Sequence, residues 1–121
     1  MTEGIRLLVV DDHPVFRRGL LAVLSDAEGI EVVGAVGTGH EAIEAAAGLA
    51  PDVILLDLNL PDTNGIDVTK KLVGSGFSGH VLVLTMYAED AALVSAMEAG
   101  ARGYLLKGAD GRTPRSRGAS S

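Results

Sequence analysis

Five side chains of complementary chemistry stand where apolar segments end. Asp11 and Asp12 close the run Ile5 to Val10, Asp57 follows Val53 to Leu56, Thr85 ends Val81 to Thr85, and Lys107 follows Gly103 to Leu106. Carboxylates brought together repel, and each resists ionisation without a counter-charge. A hard divalent cation resolves that conflict. Mg²⁺ takes oxygen ligands and is usually held by one or two carboxylates, waters and a phosphate. A lysine supplies a compact positive charge for a phosphate oxygen, and a threonine hydroxyl can donate to another. One carboxylate then remains as nucleophile, and Asp57 stands alone at its segment's end. Phosphoryl transfer asks little more of a protein than in-line positioning and charge neutralisation. Each residue also has an ordinary role. Asp11-Asp12 could cap the following helix, Asp57 could belong to a turn, Thr85 suits any strand end, and Lys107 could be merely solvated.

What could bring the five together is the order of elements. Ile5 to Val10, Glu31 to Val36, Val53 to Leu56, Val81 to Thr85 and Gly103 to Leu106 read as strands. The first, third and fourth are nearly continuous Val, Ile and Leu, as parallel strands buried on both faces require. Helices alternate with them. The first opens at Pro14 and carries Phe16, Leu20, Val23 and Leu24; the second opens on the capping box Thr38-Gly39-His40-Glu41 and stops before Pro51. The third starts near Asn64 with Ile66, Val68, Leu72 and Val73. The fourth starts around Glu89, carries Leu93, Ala96 and Met97, and ends at Gly100. This alternation predicts an α/β fold, a doubly wound parallel sheet with right-handed crossovers. Ligands of such sheets sit outside the carboxyl ends of the strands, where all five residues fall.

The stretches VVDDHPVFRRGL, ILLDLNLPDTNGID, VLTMYAED and AGARGYLLKGA resemble the receiver domains of two-component response regulators, most nearly the NarL/FixJ (LuxR-type) group. The similarity runs from about Ile5 to Lys107. It implies a flavodoxin-like five-stranded sheet in the order 2-1-3-4-5. It implies Asp57 as phosphoacceptor, Asp12 as direct Mg²⁺ ligand, Asp11 beside it or acting through water, and the backbone carbonyl of Asn59 completing the metal shell. Pro61 and Gly65 match the loop that follows. Thr85 and Lys107 match the groups that bind the phosphoryl oxygens, and Tyr104 matches an aromatic switch position. The implied function is a signalling switch, phosphorylated by a sensor histidine kinase and probing other proteins through an altered surface. DNA would be reached only through a C-terminal domain that this chain lacks. Many receivers place a cis-proline after the lysine, where Gly108 stands here.

With 121 residues there is room for one domain, and 47% hydrophobic residues suffice for a core. Aromatics make up only 3%, so that core must be aliphatic. A net charge of −6 argues against a nucleic-acid surface on the main body. The absence of cysteine excludes disulfides and thiolate chemistry. No membrane span or signal peptide is read, so a cytoplasmic location is expected. Residues 1–108 are expected to form the receiver, and 109–121, rich in Gly, Ser, Arg and Pro, a flexible tail with three solvated arginines. A fifth helix would then be missing. That should leave apolar side chains from Leu105 and the neighbouring first strand in water and favour a homodimer.

Gly74 to Gly79 spells G-x-G-x-x-G after a helix instead of after a strand, so it reads as a loop. His13, His40 and His80 are spread over different elements and are not expected to ligate metal. Two other functions compete. A small metal-dependent phosphatase using an aspartyl-phosphate would want a second acid two residues beyond Asp57, where Asn59 stands. A silent receiver acting only as a binding module would have no use for the full set of polar residues.

Overall fold

A computed structural model of the chain describes residues 4–85 and 91–106. Nine elements follow one another as β1 (Ile5–Val10), α1 (Pro14–Ser25), β2 (Ile30–Val36), α2 (Gly39–Leu49), β3 (Val53–Asp57), α3 (Gly65–Gly74), β4 (His80–Thr85), α4 (Ala91–Ala99) and β5 (Gly103–Leu106). All five strands pair in parallel in the order β2-β1-β3-β4-β5. The expected doubly wound sheet is therefore present, and strand limits shift by a single residue at β2, β3 and β4. The Glu89 start of the fourth helix and the tail after Leu106 lie outside the described residues.

Alternation along the strands divides the core in two. Leu8, Val10, Ile54, Leu56, Val81 and Val83 point to the face covered by α2, α3 and α4, which contribute Ala42, Ala46, Val68, Leu72, Leu93 and Ala96. Leu7, Val9, Leu55 and Leu84 point to the other face, where Phe16, Leu20, Leu21 and Leu24 of α1 pack. Successive strand residues face opposite ways, so a strand buried on both sides must be apolar throughout. Expected stripes are corrected at their margins. Val23, Val73 and Met97 lie at helix edges and are exposed, while Leu21 turns inward. The exposed first strand is also not found. Leu7 to Val10 are buried, because β3 and β4 separate β1 from β5 and α1 covers β1. Leu105 and Leu106 are exposed at 46% and 43%, as expected of Leu105.

Local chemistry fixes the helix ends nearest the polar residues. Pro14 begins α1, where its missing N–H costs nothing. Thr38 accepts the Glu41 N–H at the start of α2, and the Glu41 carboxylate takes the Gly37 N–H at 3.0 Å. Asn64 likewise caps α3 through the Asp67 N–H at 2.9 Å. The α3 start presses directly on the end of β3. The Gly65 N–H donates to the Leu58 carbonyl at 2.8 Å. A Cβ at Gly65 would stand 2.9 Å from both the Asp57 carbonyl oxygen and Leu58 Cα. Backbone cannot yield as a flexible side chain would. Gly65→Ala is therefore expected to lower stability in urea denaturation by about 1–3 kcal/mol, the usual range for overpacking; an unchanged midpoint would show that the contact can relax.

Candidate functional site

The parallel register carries the polar residues to one edge of the sheet. Val10 pairs with Leu56, so one step further Asp11 stands beside Asp57. Asp57 pairs with Leu84, directly before Thr85. Asp11 and Asp57 are buried, at 0% and 2% exposure, and Thr85 is buried as well. Asp12, one residue further out, reaches the surface. One carboxylate oxygen from each of Asp11, Asp12 and Asp57 lies within 4.8 Å of the others and of a His13 ring nitrogen.

The carboxylates are not consumed as a cap. The start of α1 has no side-chain capping bond, and Asp11 Oδ1 instead accepts the His13 N–H at 2.6 Å, tightening the turn between β1 and α1. Arg17 Nη1 donates to the Asp11 carbonyl at 3.0 Å and braces the same turn. Asp57 Oδ1 accepts the Asn59 N–H at 3.0 Å, which folds the following loop back over the strand end. That loop closes on itself through a bridge between Asn59 and Asn64 and a Leu60 N–H bond to the Thr63 carbonyl at 3.2 Å. Partly buried carboxylates held this close are unfavourable until positive charge neutralises them. Three hard oxygen donors converging on one point fit a cation such as Mg²⁺.

Two participants were not foreseen. His13 was given no part in the pocket beyond not being expected to ligate metal, and its Nδ1 lies 3.3 Å from Asp11 Oδ1, 3.4 Å from Asp57 Oδ2 and 3.6 Å from Asp12 Oδ1. Adjacency to the acidic pair, with Pro14 fixing where the helix begins, was the available signal. The second is Asp62. Its oxygens accept the Gly39 N–H at 2.8 Å and the His40 N–H at 3.1 Å, tying the loop to the first turn of α2. The Gly39 and His40 N–H groups hold its carboxyl below the usual carboxylate range. Nothing local in the sequence announces a bond across 23 residues.

Tyr104 pairs with Val83 in β4 and is 44% exposed. Val83 and Thr85 are two residues apart, so Thr85 and Tyr104 share the face that carries α4. Lys107 and its peptide bond to Gly108 lie outside the described residues. The G-x-G-x-x-G stretch runs from the end of α3 to the start of β4, as a connection. Among the described residues no helix is long and apolar enough to cross a membrane.

Comparison with known proteins places this geometry. Residues 7–115 match the family described as the response regulator receiver domain. The response regulator GacA of Pseudomonas aeruginosa is 42% identical over 105 residues, covering 87% of this chain and 49% of that protein. The nitrate/nitrite response regulator NarL of Escherichia coli K12 gives the same identity and coverage. The chain thus spans about half the length of the curated relatives it matches. Among solved structures, the signal receiver domain of NarL from Mycobacterium tuberculosis superposes with a TM-score of 0.84 at 36% identity, covering 88% of this chain and 86% of that one. The isolated receiver of RcsB from Salmonella enterica, solved with the phosphomimetic BeF3-, gives 0.78 at 27%, covering 87% and 78%.

Proposed function

Because the chain belongs to the receiver-domain family of two-component response regulators, we propose that Asp57 is its phosphoacceptor and that phosphorylation there switches a protein-binding surface. The observation that carries this reading is the burial of Asp57 at the end of a central strand, against Asp11 and within reach of Asp12. A carboxylate oxygen of Asp57 attacks phosphorus. A new P–O bond forms as the bond to the donor breaks, and the departing group (a histidine nitrogen of a sensor kinase, or acetate from acetyl phosphate) keeps the electron pair. Asp12 and Asp57, with the Asn59 carbonyl and Asp11 in support, would hold Mg²⁺, whose contribution is to neutralise charge on the carboxylates and the incoming phosphoryl oxygens. The Asn59 N–H holds Asp57 Oδ1, which fixes the orientation of the carboxylate at the strand end.

Thr85 and Lys107 are assigned to the phosphoryl oxygens. Thr85 lies one residue past the partner of Asp57, and Lys107 follows the residue that pairs with Thr85. Drawing the Thr85 hydroxyl toward the phosphoryl group vacates space on the face it shares with Tyr104, and the half-exposed ring can then turn inward. This is a two-state element biased by one hydrogen bond. We assign residues 1–108 to the receiver and 109–121 to a tail, in a cytoplasmic regulator. Contact with DNA is assigned to parts of the protein beyond these residues. A second copy of the chain is a fitting partner for the side of β4 and β5 that the helices among the described residues leave thinly covered. There Leu105 is exposed, and Val53, His80, Leu82 and Arg102 line a shallow groove.

Incubation with acetyl phosphate and Mg²⁺ should add one phosphoryl group by mass spectrometry. Asp57→Asn should abolish the addition, and Asp12→Ala should slow it at least tenfold, as loss of a metal ligand does; full labelling of the Asn variant would remove Asp57 from its role. Thr85→Val should still be labelled, but its Tyr104 ring resonances should no longer respond to beryllofluoride. A response equal to the parent's would disprove the coupling. Light scattering over a concentration series should show average mass rising toward a dimer, and a strict monomer throughout would refute self-association.

A further inference from the structure

We infer that Asp62 is a positioning residue for the acidic pocket, fixing the β3–α3 loop by clamping it to the first turn of α2. The inference rests on the functional reading above, in which the Asn59 carbonyl of that loop faces the cation. Most bonds at the base of the loop are made within it, Asn59 to Asp57, Leu60 to Thr63 and Gly65 to Leu58, and one, from the Leu58 N–H to the Leu84 carbonyl at 3.2 Å, ties that base to β4. They set its shape but not where its tip stands relative to the rest of the sheet edge. Asp62 supplies that reference. Each of its oxygens takes one of two successive N–H groups of α2, Gly39 at 2.8 Å and His40 at 3.1 Å. These donors are among the first in the helix, where N–H groups have no partner within the helix and the helix dipole favours negative charge.

The anchor itself is rigid and reaches the other metal-bearing loop. Thr38 caps the start of α2 by accepting the Glu41 N–H, and the Glu41 carboxylate reaches back to hold the Gly37 N–H. Gly37 lies against the backbone of Asp12, since a Cβ built there would stand 3.8 Å from Asp12 Cα. One short turn, 37 to 39, therefore spans from the Asp12 loop to the Asp62 loop. It sets how far apart the Asp12 carboxylate and the Asn59 carbonyl are held. Gly39 permits the approach. A Cβ at that position would collide with Thr63 Cγ2 and press on Val68 Cγ2, driving the loop outward with Asp62 still present.

Without the clamp, the loop must be ordered when the cation binds, which lowers affinity while leaving Asp57 in its strand. Mg²⁺ titration of the full chain by NMR should give a dissociation constant about tenfold higher for Asp62→Ala, the low end of what supporting residues around a metal cost. Gly39→Ala should weaken binding in the same direction. Glu44→Gln removes a negative charge four to five positions along the same helix; its carboxylate meets the His40 ring and not the backbone N–H groups of the clamp, so the variant should bind as the parent does. At saturating Mg²⁺ the Asp62→Ala chain should be labelled by acetyl phosphate to the parental extent. Asp62→Asn keeps one accepting oxygen, should fall between, and carries the test should the alanine variant not fold. Parental Mg²⁺ affinity in Asp62→Ala, or in Asp62→Asn if only that folds, overturns the inference. So does a loss in Glu44→Gln equal to that in Asp62→Ala, since charge alone would then explain it. A parent chain that binds no Mg²⁺ at the pocket would instead overturn the functional reading, and this inference with it.

Discussion

The repulsion between Asp11 and Asp57 is the constraint around which the rest of the structure is organised. Both carboxylates are buried and stand side by side at the ends of adjacent strands. In isolation such a pair is unfavourable, and a flexible chain would separate it. Here it cannot separate, because each is the continuation of a strand whose preceding residues are locked in the core. Val9 and Val10 below Asp11, and Leu55 and Leu56 below Asp57, are almost wholly removed from water on opposite faces of the sheet. Hydrophobic burial of the strands supplies the free energy that holds the two carboxyl groups together, and oxygen donors gathered in this way suit a hard cation.

The loops over the strand ends turn this arrangement into a defined geometry. Asp11 folds the β1–α1 turn through the His13 N–H, and Asp57 folds the β3–α3 loop through the Asn59 N–H. Each of these carboxylates thus does two things: one oxygen organises its own loop, and the group as a whole contributes to the shared pocket. His13 stands over the result, within 3.3–3.6 Å of all three acids. The α2 start joins the two loops from outside, by packing at Gly37 and by hydrogen bonds at Gly39 and His40.

The proposed coupling from the pocket outward rests on strand parity. In a parallel sheet neighbours in register point the same way, so Val83 and Tyr104 share a face, and Thr85, two residues on, returns to it. A hydroxyl that moves toward the pocket therefore moves on the side where the aromatic ring sits. Leu84 and Leu105 pair on the opposite face, where Leu84 packs with the α1 side of the core and Leu105 is exposed. The two faces of β4 and β5 thus carry different side chains, Thr85 and Tyr104 on one and Leu84 and Leu105 on the other.

The sequence by itself determined the elements and the identity of the pocket. Nearly continuous Val, Ile and Leu in the short runs of β1, β3 and β4, bounded by turn residues, read as strands buried on both faces, and polar residues placed where those runs stop then fall at the strand ends. Asp11, Asp12, Asp57 and Thr85 were legible for that reason, as were the Thr38 and Asn64 caps, because capping acts over three residues. Only the tertiary structure decided what depends on register and crossover. That β3 and β4 lie between β1 and β5, and so keep β1 covered, is a fact of strand order and not of any local run. That Val23 faces water while Leu21 does not depends on how α1 is rotated on the sheet. The contacts of His13 with Asp57 and of Asp62 with Gly39 join residues 44 and 23 positions apart. No period or spacing encodes them, because such contacts exist only once the sheet has fixed where each loop emerges.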